Sequence, residues 1–222
     1  MTRDKVIEEI EISKREGRSA NLADAHLFGE DLHGVDLYDA DLHGANLHSA
    51  DLYDANLTNA DLACADLGYA NLTNADLACA DLGYANLRCA GLRNAKLTNA
   101  DLACADLGYA NLADADLAGA NLRDVNLHAT NLGCANLRLA ELGSTQVLQI
   151  GPIGSRGDYL VAKLFNEGET EIMTGCFIGT LSEFRHDVLS THADGSKYRK
   201  QYLSAIGVID EVFDLKSIES SK

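Results

Sequence analysis

Leucine recurs at every fifth position over more than half of this 222-residue chain. The series begins at Leu22, ends at Leu142 and holds 25 leucines without a break in register. Alanine stands two residues before the leucine in 21 of the 25 units, except at Glu30, Val35, Val125 and Thr130. Asp or Asn stands immediately before the leucine, except at His26, Gly91, Lys96 and Glu141. The repeating unit is therefore Ala-(Asp/Asn)-Leu-x-x.

A period of five fits neither an α-helix nor a flat β-strand, whose periods are about 3.6 and 2. If each unit forms one side of a square coil, four units close a coil and both leucine and alanine point inward. Coils that stack at about the inter-strand distance, ~4.8 Å, make residues 20–145 a mainly β solenoid of about six coils. The predicted core ladder on one side is Leu22, Leu42, Leu62, Leu82, Leu102, Leu122 and Leu142, with Ala60, Ala80 and Ala100.

Over residues 20–144 the chain resembles the pentapeptide-repeat family, because 25 units of this form stand in one register. The resemblance implies a right-handed quadrilateral β-helix, with leucine as the central inward residue and alanine as the second. One block, TNADLACADLGYANL, occurs without change at 58–72, 73–87 and 98–112, which indicates recent duplication.

The segments that flank the repeats form two further parts. Within residues 1–19, the stretch 4–16 predicts a short amphipathic helix with Val6, Ile7 and Ile10 on one face. We expect this helix to cap the first coil, because the open end of a solenoid exposes leucines and unpaired backbone groups. Residues 146–222 predict a small α+β module, similar to a segment that follows some bacterial and phage pentapeptide repeats.

The module is predicted to contain three strands and two helices. The strands lie within VLQIGPIG, YLVAKLF and EIMTGCFIG, separated by glycines and charged turns. Thr180 and Glu183 have the spacing of a capping box that opens a helix through about His192. A second helix is predicted over 198–213, with Tyr202, Ile206, Ile209 and Phe213 on one side.

The charge of the chain is concentrated in the repeats. The net charge is −16, and residues 20–144 contain 18 acidic and five basic side chains. Such a surface repels nucleic acid and anionic membranes. The sequence has no 18-residue apolar run and no apolar signal segment, so we expect a cytoplasmic protein with reduced thiols.

Residues 20 apart are expected to stack, which places Asp41, Asp61, Asp81 and Asp101 in one column. This column is a possible interaction surface, and two interpretations of it stay open. It either imitates the phosphates of DNA or serves the local turns by hydrogen bonding to their backbone. Some family members imitate a DNA duplex and protect gyrase from quinolone drugs. Against that reading, we expect a mid-rod basic band to interrupt the negative field, formed by Arg88, Arg93 and Lys96.

The remaining reactive side chains do not form a recognisable catalytic or metal site. The repeat cysteines all lie two residues after a leucine and are expected to face outward, at Cys64, Cys79, Cys89, Cys104 and Cys134. The repeat histidines are expected to be exposed polar residues, at His26, His33, His43, His48 and His128. In the module, Cys176 and His186 could pair as thiol and imidazole, but no acidic residue is placed to orient them. The segment from Gly151 to Gly154 lacks the Gly-Lys-Ser/Thr ending of a phosphate loop.

Together these features predict a non-enzymatic structural or protein-interaction rod that presents acidic flat faces to a protein partner. We expect no cofactor, metal, small-molecule substrate, nucleic acid or membrane to bind it. We expect it to be a monomer or a weak homo-oligomer. The alternative function is that of a DNA-mimicking modulator of a type II topoisomerase such as gyrase, and a more distant one is an enzyme that works through the C-terminal module.

Overall fold

The computed structural model describes residues 1–143, 146–153, 158–164, 170–174 and 177–212. The chain forms two compact units, Met1–Gly143 and Ser144–Lys222. The first unit contains helix α1 (Arg3–Glu16) and the repeats. The second contains strands β1 (Gln146–Ile153), β2 (Asp158–Leu164), β3 (Thr170–Thr174) and β4 (Phe177–Gly179), and helices α2 (Leu181–Thr191) and α3 (Lys197–Val212).

The repeats form a β-solenoid in which each residue stacks on the residue 20 positions later. Parallel bridges join the residue before each leucine to its equivalent, from Asn21↔Asp41 to Asn121↔Glu141. In the middle of the rod, the Leu62 N–H donates to the carbonyl of Asp81 at 2.7 Å, and the Cys64 N–H donates to that of Gly83 at 2.9 Å. Backbone hydrogen bonds therefore run along the rod between coils, with four units in each coil.

Each pentapeptide bends at the two residues that follow its leucine. The Ala65 N–H donates to the carbonyl of Leu62 at 3.0 Å, which closes a four-residue turn. The third residue of every described turn has a positive φ, from 53° at Ala129 to 69° at Gly119. Asp, Asn and Gly tolerate this left-handed backbone best, and they occupy many of these positions.

The interior of the solenoid is a ladder of leucines and alanines. Every repeat leucine from Leu22 to Leu132 is at most 2% exposed, and Ala60, Ala80 and Ala100 are equally buried. Full burial of one leucine contributes about 1.5–3 kcal/mol before entropy is subtracted. The prediction was wrong for Leu142, which is partly exposed. It lies in the last bridged coil of the described repeats, so repeat leucines cover it from one side alone.

Helix α1 has one buried face, formed by Val6, Ile10 and Ser13. The prediction was wrong for Ile7, which is 37% exposed. Ile7 lies about 100° around the helix from Val6, because an α-helix has 3.6 residues per turn. Gly17 ends the helix in the left-handed conformation, with a φ of 67°.

The first coil is capped by hydrogen bonds that replace those of a missing coil. Arg3 donates from Nη1 to the carbonyl of Asp31 at 2.7 Å and from Nη2 to the carbonyl of His33 at 3.0 Å. The N-terminal amine donates to the carbonyl of His26. These carbonyls point out of the first coil, where no earlier coil supplies an N–H, so helix α1 and its flanks satisfy part of the open end.

The C-terminal unit contains a four-stranded antiparallel sheet in the order β1-β2-β3-β4, where the sequence predicted three strands. The difference lies in the segment 171–179, which forms two short strands rather than one. Ile172 pairs with Gly179 and Thr174 pairs with Phe177, so the chain reverses within this segment. Hydrophobic periodicity cannot separate one long strand from two short ones when both are apolar.

Helices α2 and α3 pack on one face of this sheet. The Thr180 side chain accepts from the Glu183 N–H and the Glu183 side chain accepts from the Thr180 N–H, so the predicted capping box is present. The core combines strand and helix residues, namely Leu160, Ala162, Ile172, Leu181, Phe184, Val188, Ala205, Ile206 and Ile209. The predicted inner residues Ile206 and Ile209 lie in this core, and Tyr202 packs against it. Phe213, predicted on the same side, lies outside the described residues.

Candidate interaction surfaces

The surface of the solenoid consists of four stacks of pentapeptides, each named here by its first leucine. The Leu22 stack contains the units centred on Leu22, Leu42 and every twentieth residue after them. The Leu27, Leu32 and Leu37 stacks follow in chain order. In each unit the residue before the leucine and the two after it lie on the outside, and these three positions decide the chemistry of the stack.

The Asp or Asn before each leucine has a defined local role. In all 21 units that carry one, its Oδ1 accepts a hydrogen bond from the backbone N–H two residues later. For Asp81 this donor is the N–H of Gly83, at 2.9 Å. Within a typical unit such as 60–64, the other four N–H groups donate to backbone carbonyls. The side chain therefore supplies the one acceptor that the backbone lacks, which favours the turn interpretation of these residues.

Asparagine adds a second bond that links one coil to the next. Asn86 Nδ2 donates to Asp66 Oδ1 at 2.8 Å, and Asn121 Nδ2 donates to Asp101 Oδ1 at 2.9 Å. Where Asp stacks on Asp this bond is missing, because a carboxylate has no N–H. In the column Asp41, Asp61, Asp81 and Asp101, each Asp stacks on another Asp, so no side-chain amide links these four residues.

Of the four stacks, the Leu22 stack has the largest negative charge. Its outward positions hold seven acids and one base, Arg123. The acids are Asp24, Asp41, Asp61, Asp81, Asp101, Asp124 and Glu141. Arg123 pairs with Glu141 at 3.0 Å, so the stretch from Asp41 to Asp101 has no base within its own stack.

The expected basic band does not cross this column. Arg88 lies in the Leu27 stack, Arg93 in the Leu32 stack and Lys96 in the Leu37 stack. Arg93 pairs with Asp114 at 3.1 Å and Lys96 pairs with Asp76 at 2.9 Å. The band thus winds around three stacks and leaves the Leu22 stack uninterrupted, which corrects the expectation from the sequence.

Aromatic side chains form a row on the Leu27 stack. Phe28 and His48 are stacked with ring centroids 5.6 Å apart, and His48 lies 5.5 Å from Tyr69. Farther along, the guanidinium of Arg88 lies 4.8 Å from the ring centroid of Tyr109. The sequence predicts Tyr69, Cys89 and Tyr109 as one outward column of small and flat groups, because they are 20 residues apart. The contacts of the two tyrosines with His48 and Arg88 come from the structure.

The cysteines and histidines of the repeats are distributed over all four stacks of the solenoid. Cys64, Cys79, Cys104 and Cys134 are exposed free thiols and Cys89 is partly buried. The closest carboxylates to His43 and His48 are Asp61 at 3.9 Å and Asp66 at 3.4 Å. Among the residues described, no group of three or more His, Cys, Asp or Glu side chains could hold a metal ion.

Two features of the C-terminal unit bear on a catalytic role. His186 lies in helix α2, but Cys176 lies outside the described residues, so the thiol–imidazole pairing stays a prediction. Lys163 is fully buried and donates to Glu171 Oε1 at 2.8 Å across the β2–β3 pair. Burial lowers the pKa of Lys163 below its usual value, because the charged form loses its hydration.

In the described part of the chain, no helix has both the length and the apolar character needed to span a bilayer.

Comparison with known families gives a match over the repeats. A family model of pentapeptide repeats matches residues 18–52, 40–77, 75–108 and 105–143. No curated protein matches the chain.

Several solved structures are similar to the solenoid. A pentapeptide repeat protein from the Arabidopsis thaliana thylakoid lumen is 34% identical, covering 45% of this chain and 69% of that one with a TM-score of 0.44. One from Nostoc is 39% identical, covering 47% of this chain and 80% of that one with a TM-score of 0.43. QnrB1, a plasmid-mediated fluoroquinolone resistance protein, is 18% identical, covering 57% of this chain and 78% of that one with a TM-score of 0.35.

Proposed function

Because the chain belongs to the pentapeptide-repeat family, we propose that it is a non-enzymatic rod that binds a basic protein partner through the Leu22 stack. In this proposal each stack is one flat side of a right-handed, four-sided coil of about six turns. The observation that carries the proposal is the segregation of charge, since one stack holds seven acids and one base.

The acidic side chains of this stack are held in a fixed geometry. Asp61, Asp81 and Asp101 each accept from a backbone N–H through Oδ1, at 2.9–3.0 Å. They are exposed, so each also presents charge to solvent. Carboxylates about 4.8 Å apart along a rigid rod lose little side-chain entropy when they bind cations. Lysine and arginine of a partner would relieve the repulsion within the column.

Between these carboxylates the surface is low. The residues after the leucines are Ala63, Gly83 and Ala103, so a partner would approach the column without steric obstruction. Tyr84 stands at the edge of the same stack and is 71% exposed. Tyrosine beside carboxylates favours lysine and arginine on the partner, through cation–π contact as well as ion pairing.

The test uses substitutions that remove charge but keep the turns. Asparagine retains the Oδ1 acceptor, so the variant D41N/D61N/D81N/D101N should fold normally. The full chain serves as bait in a lysate of its native cell, at low and at moderate salt. We expect specific partners with basic surfaces to be retained by the wild type at low salt and lost with the variant.

The matched control is D51N/D66N/D106N/D116N, which removes the same number of charges from the other three stacks. It should retain the partners. Equal loss with both variants would indicate a dependence on net charge alone, and equal retention would contradict a role for the Leu22 stack.

A second candidate function is the DNA mimic that modulates a type II topoisomerase. The observation that favours it is the base-free run from Asp41 to Asp101. This column carries one charge per ~4.8 Å, against one per ~3.4 Å for a single DNA strand, so the imitation would be sparse. A gyrase supercoiling assay with and without quinolone tests it, and no effect at micromolar protein removes this candidate.

We also propose that the rod works in the cytoplasm, as a monomer or a weak homo-oligomer. The exposed free thiols fit a reducing compartment. Light scattering on the full chain, over a hundredfold range of concentration, measures the assembly state. A stable large oligomer at every concentration would contradict this part of the proposal.

A further inference from the structure

The Leu27 stack carries an exposed aromatic row that the acidic function does not use. Phe28 is 64% exposed, Tyr69 62% and Tyr109 49%. Tyr109 also meets His128, with ring centroids 5.4 Å apart. The rings form two groups, Phe28–His48–Tyr69 and Tyr109–His128, on the same side of the rod. Large rings that stay this exposed are suited to binding rather than to stabilising a core.

A glycine shapes the surface beside each tyrosine of this row. A Cβ at Gly68 would lie 2.8 Å from His48 Nδ1, and a Cβ at Gly108 would lie 3.2 Å from Arg88 Nη1. The side chain from the preceding coil therefore lies across the glycine and beside the tyrosine that follows it. The same arrangement occurs twice, at His48 with Tyr69 and at Arg88 with Tyr109, 40 residues apart.

Forty residues correspond to two coils, so the two tyrosines are separated by ~9.6 Å along the rod. A polyproline II helix rises 3.1 Å per residue with three residues per turn, which places every third residue ~9.3 Å apart on one side. An extended strand presents alternate residues at about 6.6–6.8 Å, and an α-helix presents successive turns at about 5.4 Å. Of these three conformations, only polyproline II places successive residues of one side at about the separation of Tyr69 and Tyr109.

The charge of this stack also differs from that of the rest of the rod. Its outward positions hold two acids, Asp66 and Asp106, and one base, Arg88. Both acids accept amide N–H groups from the next coil, at 2.8 and 2.7 Å. Arg93, Lys96 and Arg123 in the other stacks each pair with a carboxylate.

Arg88, by contrast, has no carboxylate within 4.0 Å among the described residues. Its guanidinium lies against Tyr109 with N–H donors left for a ligand. A polyproline II segment has no internal hydrogen bonds, so its carbonyls are free to accept them. An acidic side chain between its prolines would complement the positive charge of Arg88.

We propose that the Leu27 stack is a docking surface for a proline-rich segment of a partner protein in the polyproline II conformation. Prolines three residues apart pack on Tyr69 and Tyr109, and an acidic residue between them pairs with Arg88. This surface is distinct from the Leu22 stack, so either proposal can fail without the other.

The probe is a fluorescent peptide with five Pro-Glu-Ala repeats, titrated with the full chain and followed by fluorescence anisotropy. The comparison peptides replace every proline by serine or every glutamate by glutamine. The variant Y69N/Y109N removes both rings, and asparagine already occupies the equivalent turn position at Asn74 and Asn94 with positive φ. The matched control is Y84N, which removes an exposed tyrosine at the same position of the Leu22 stack.

We expect Y69N/Y109N to weaken binding of the proline peptide by at least about tenfold, and Y84N to change it by less than about twofold. R88Q should weaken binding of the glutamate peptide but not of the glutamine peptide. Circular dichroism checks that each variant keeps its fold.

Three results would overturn the proposal. The first is no binding of the proline peptide at millimolar protein. The second is a lack of specificity: either the serine peptide binds as tightly as the proline peptide, or Y84N weakens binding of the proline peptide as much as Y69N/Y109N does. The third is a wild-type dimer in sedimentation velocity that Y69N/Y109N dissociates, since the row would then bind a second copy of this chain.

Discussion

The Glu9 carboxylate accepts a hydrogen bond from the backbone N–H of Asn21, with Oε1 and N 3.0 Å apart. In the next coil the equivalent N–H, that of Asp41, donates to the carbonyl of Ala20 at 2.9 Å. Glu9 thus replaces the carbonyl that a preceding coil would supply. Arg18 donates to the same oxygen at 2.6 Å and holds the carboxylate in place.

Substitution of Glu9 should therefore loosen the N-terminal end of the rod. Glu9→Ala leaves the Asn21 N–H without this acceptor, and we expect a loss of about 1 kcal/mol in the free energy of unfolding. Glu8→Ala is the control, because Glu8 is exposed, and it should change stability by less than about 0.5 kcal/mol. Urea unfolding and amide exchange of residues 20–40 measure both effects, and equal losses in the two variants would contradict the capping role.

The same contacts predict an acid-sensitive cap. Hydrogen bonds from Arg18 and the Asn21 N–H lower the pKa of Glu9 below its usual 4.5. A hydrogen bond from Lys14 lowers the pKa of Asp36 below its usual 3.8. Because both folded pKa values are below the unfolded ones, their stabilisation is complete above about pH 4.5. It is lost as the pH falls through the folded values.

We therefore expect the melting temperature to fall below about pH 4.5, and to fall less steeply in Glu9→Gln than in the wild type. Thermal unfolding between pH 7 and pH 3 measures this. Parallel curves for the two proteins would show that Glu9 does not contribute to the acid sensitivity.

Two substitutions of Asp81 distinguish the effect of its charge from that of its hydrogen bond. Asp81→Asn keeps the acceptor for the Gly83 N–H, removes one charge from the column and adds an N–H that can reach Asp61, as Asn86 reaches Asp66. We expect this variant to be as stable as the wild type or slightly more stable. Asp81→Ala removes the acceptor and should cost about 1 kcal/mol. Urea midpoints of the two variants test this order, and the reverse order would show that the charge itself is stabilising.

The leucine ladder should be most sensitive in its middle. Leu82 is 0% exposed, with Leu62 and Leu102 stacked on either side of it. Leu82→Ala leaves a cavity that the coils above and below cannot fill, so we expect a loss of about 2–5 kcal/mol. Leu142→Ala should cost less, because Leu142 is partly exposed. Calorimetry of both variants checks the difference, and equal costs would mean that Leu142 is as well packed as Leu82.

The buried ion pair of the C-terminal unit gives a prediction with an internal control. Lys163→Met alone leaves the Glu171 charge buried without its lysine, and we expect a loss of about 3–5 kcal/mol in that unit. The double variant K163M/E171L should recover most of this loss, since apolar replacement of both partners removes the desolvation cost. Thermal unfolding followed by the near-ultraviolet signal measures both, and a double variant as unstable as the single one would contradict this account.

The exceptions to the repeat show where sequence reasoning stops. Glu30 breaks the alanine column, and the structure gives the reason. Its Oε2 accepts from the Arg3 N–H at 3.1 Å, at the start of helix α1, where Thr2 provides no side-chain cap. Thr130 also replaces an alanine, and its hydroxyl donates to the carbonyl of Leu107 at 2.8 Å. Both partners are more than 20 residues away, so no local pattern could identify them.

The sequence by itself determined the period, the inward leucine and alanine, and the turn role of Asp and Asn. These depend on contacts within one pentapeptide, such as that from Gly83 N–H to Asp81, which repeat with the sequence. The 20-residue spacing also predicted the Asp41–Asp101 column. Only the tertiary structure decided which side-chain atoms meet between coils and at the capped end, such as the guanidinium of Arg88 beside the ring of Tyr109. Such contacts depend on how each coil closes on the next, because residues 20 positions apart become neighbours only when the coil is complete.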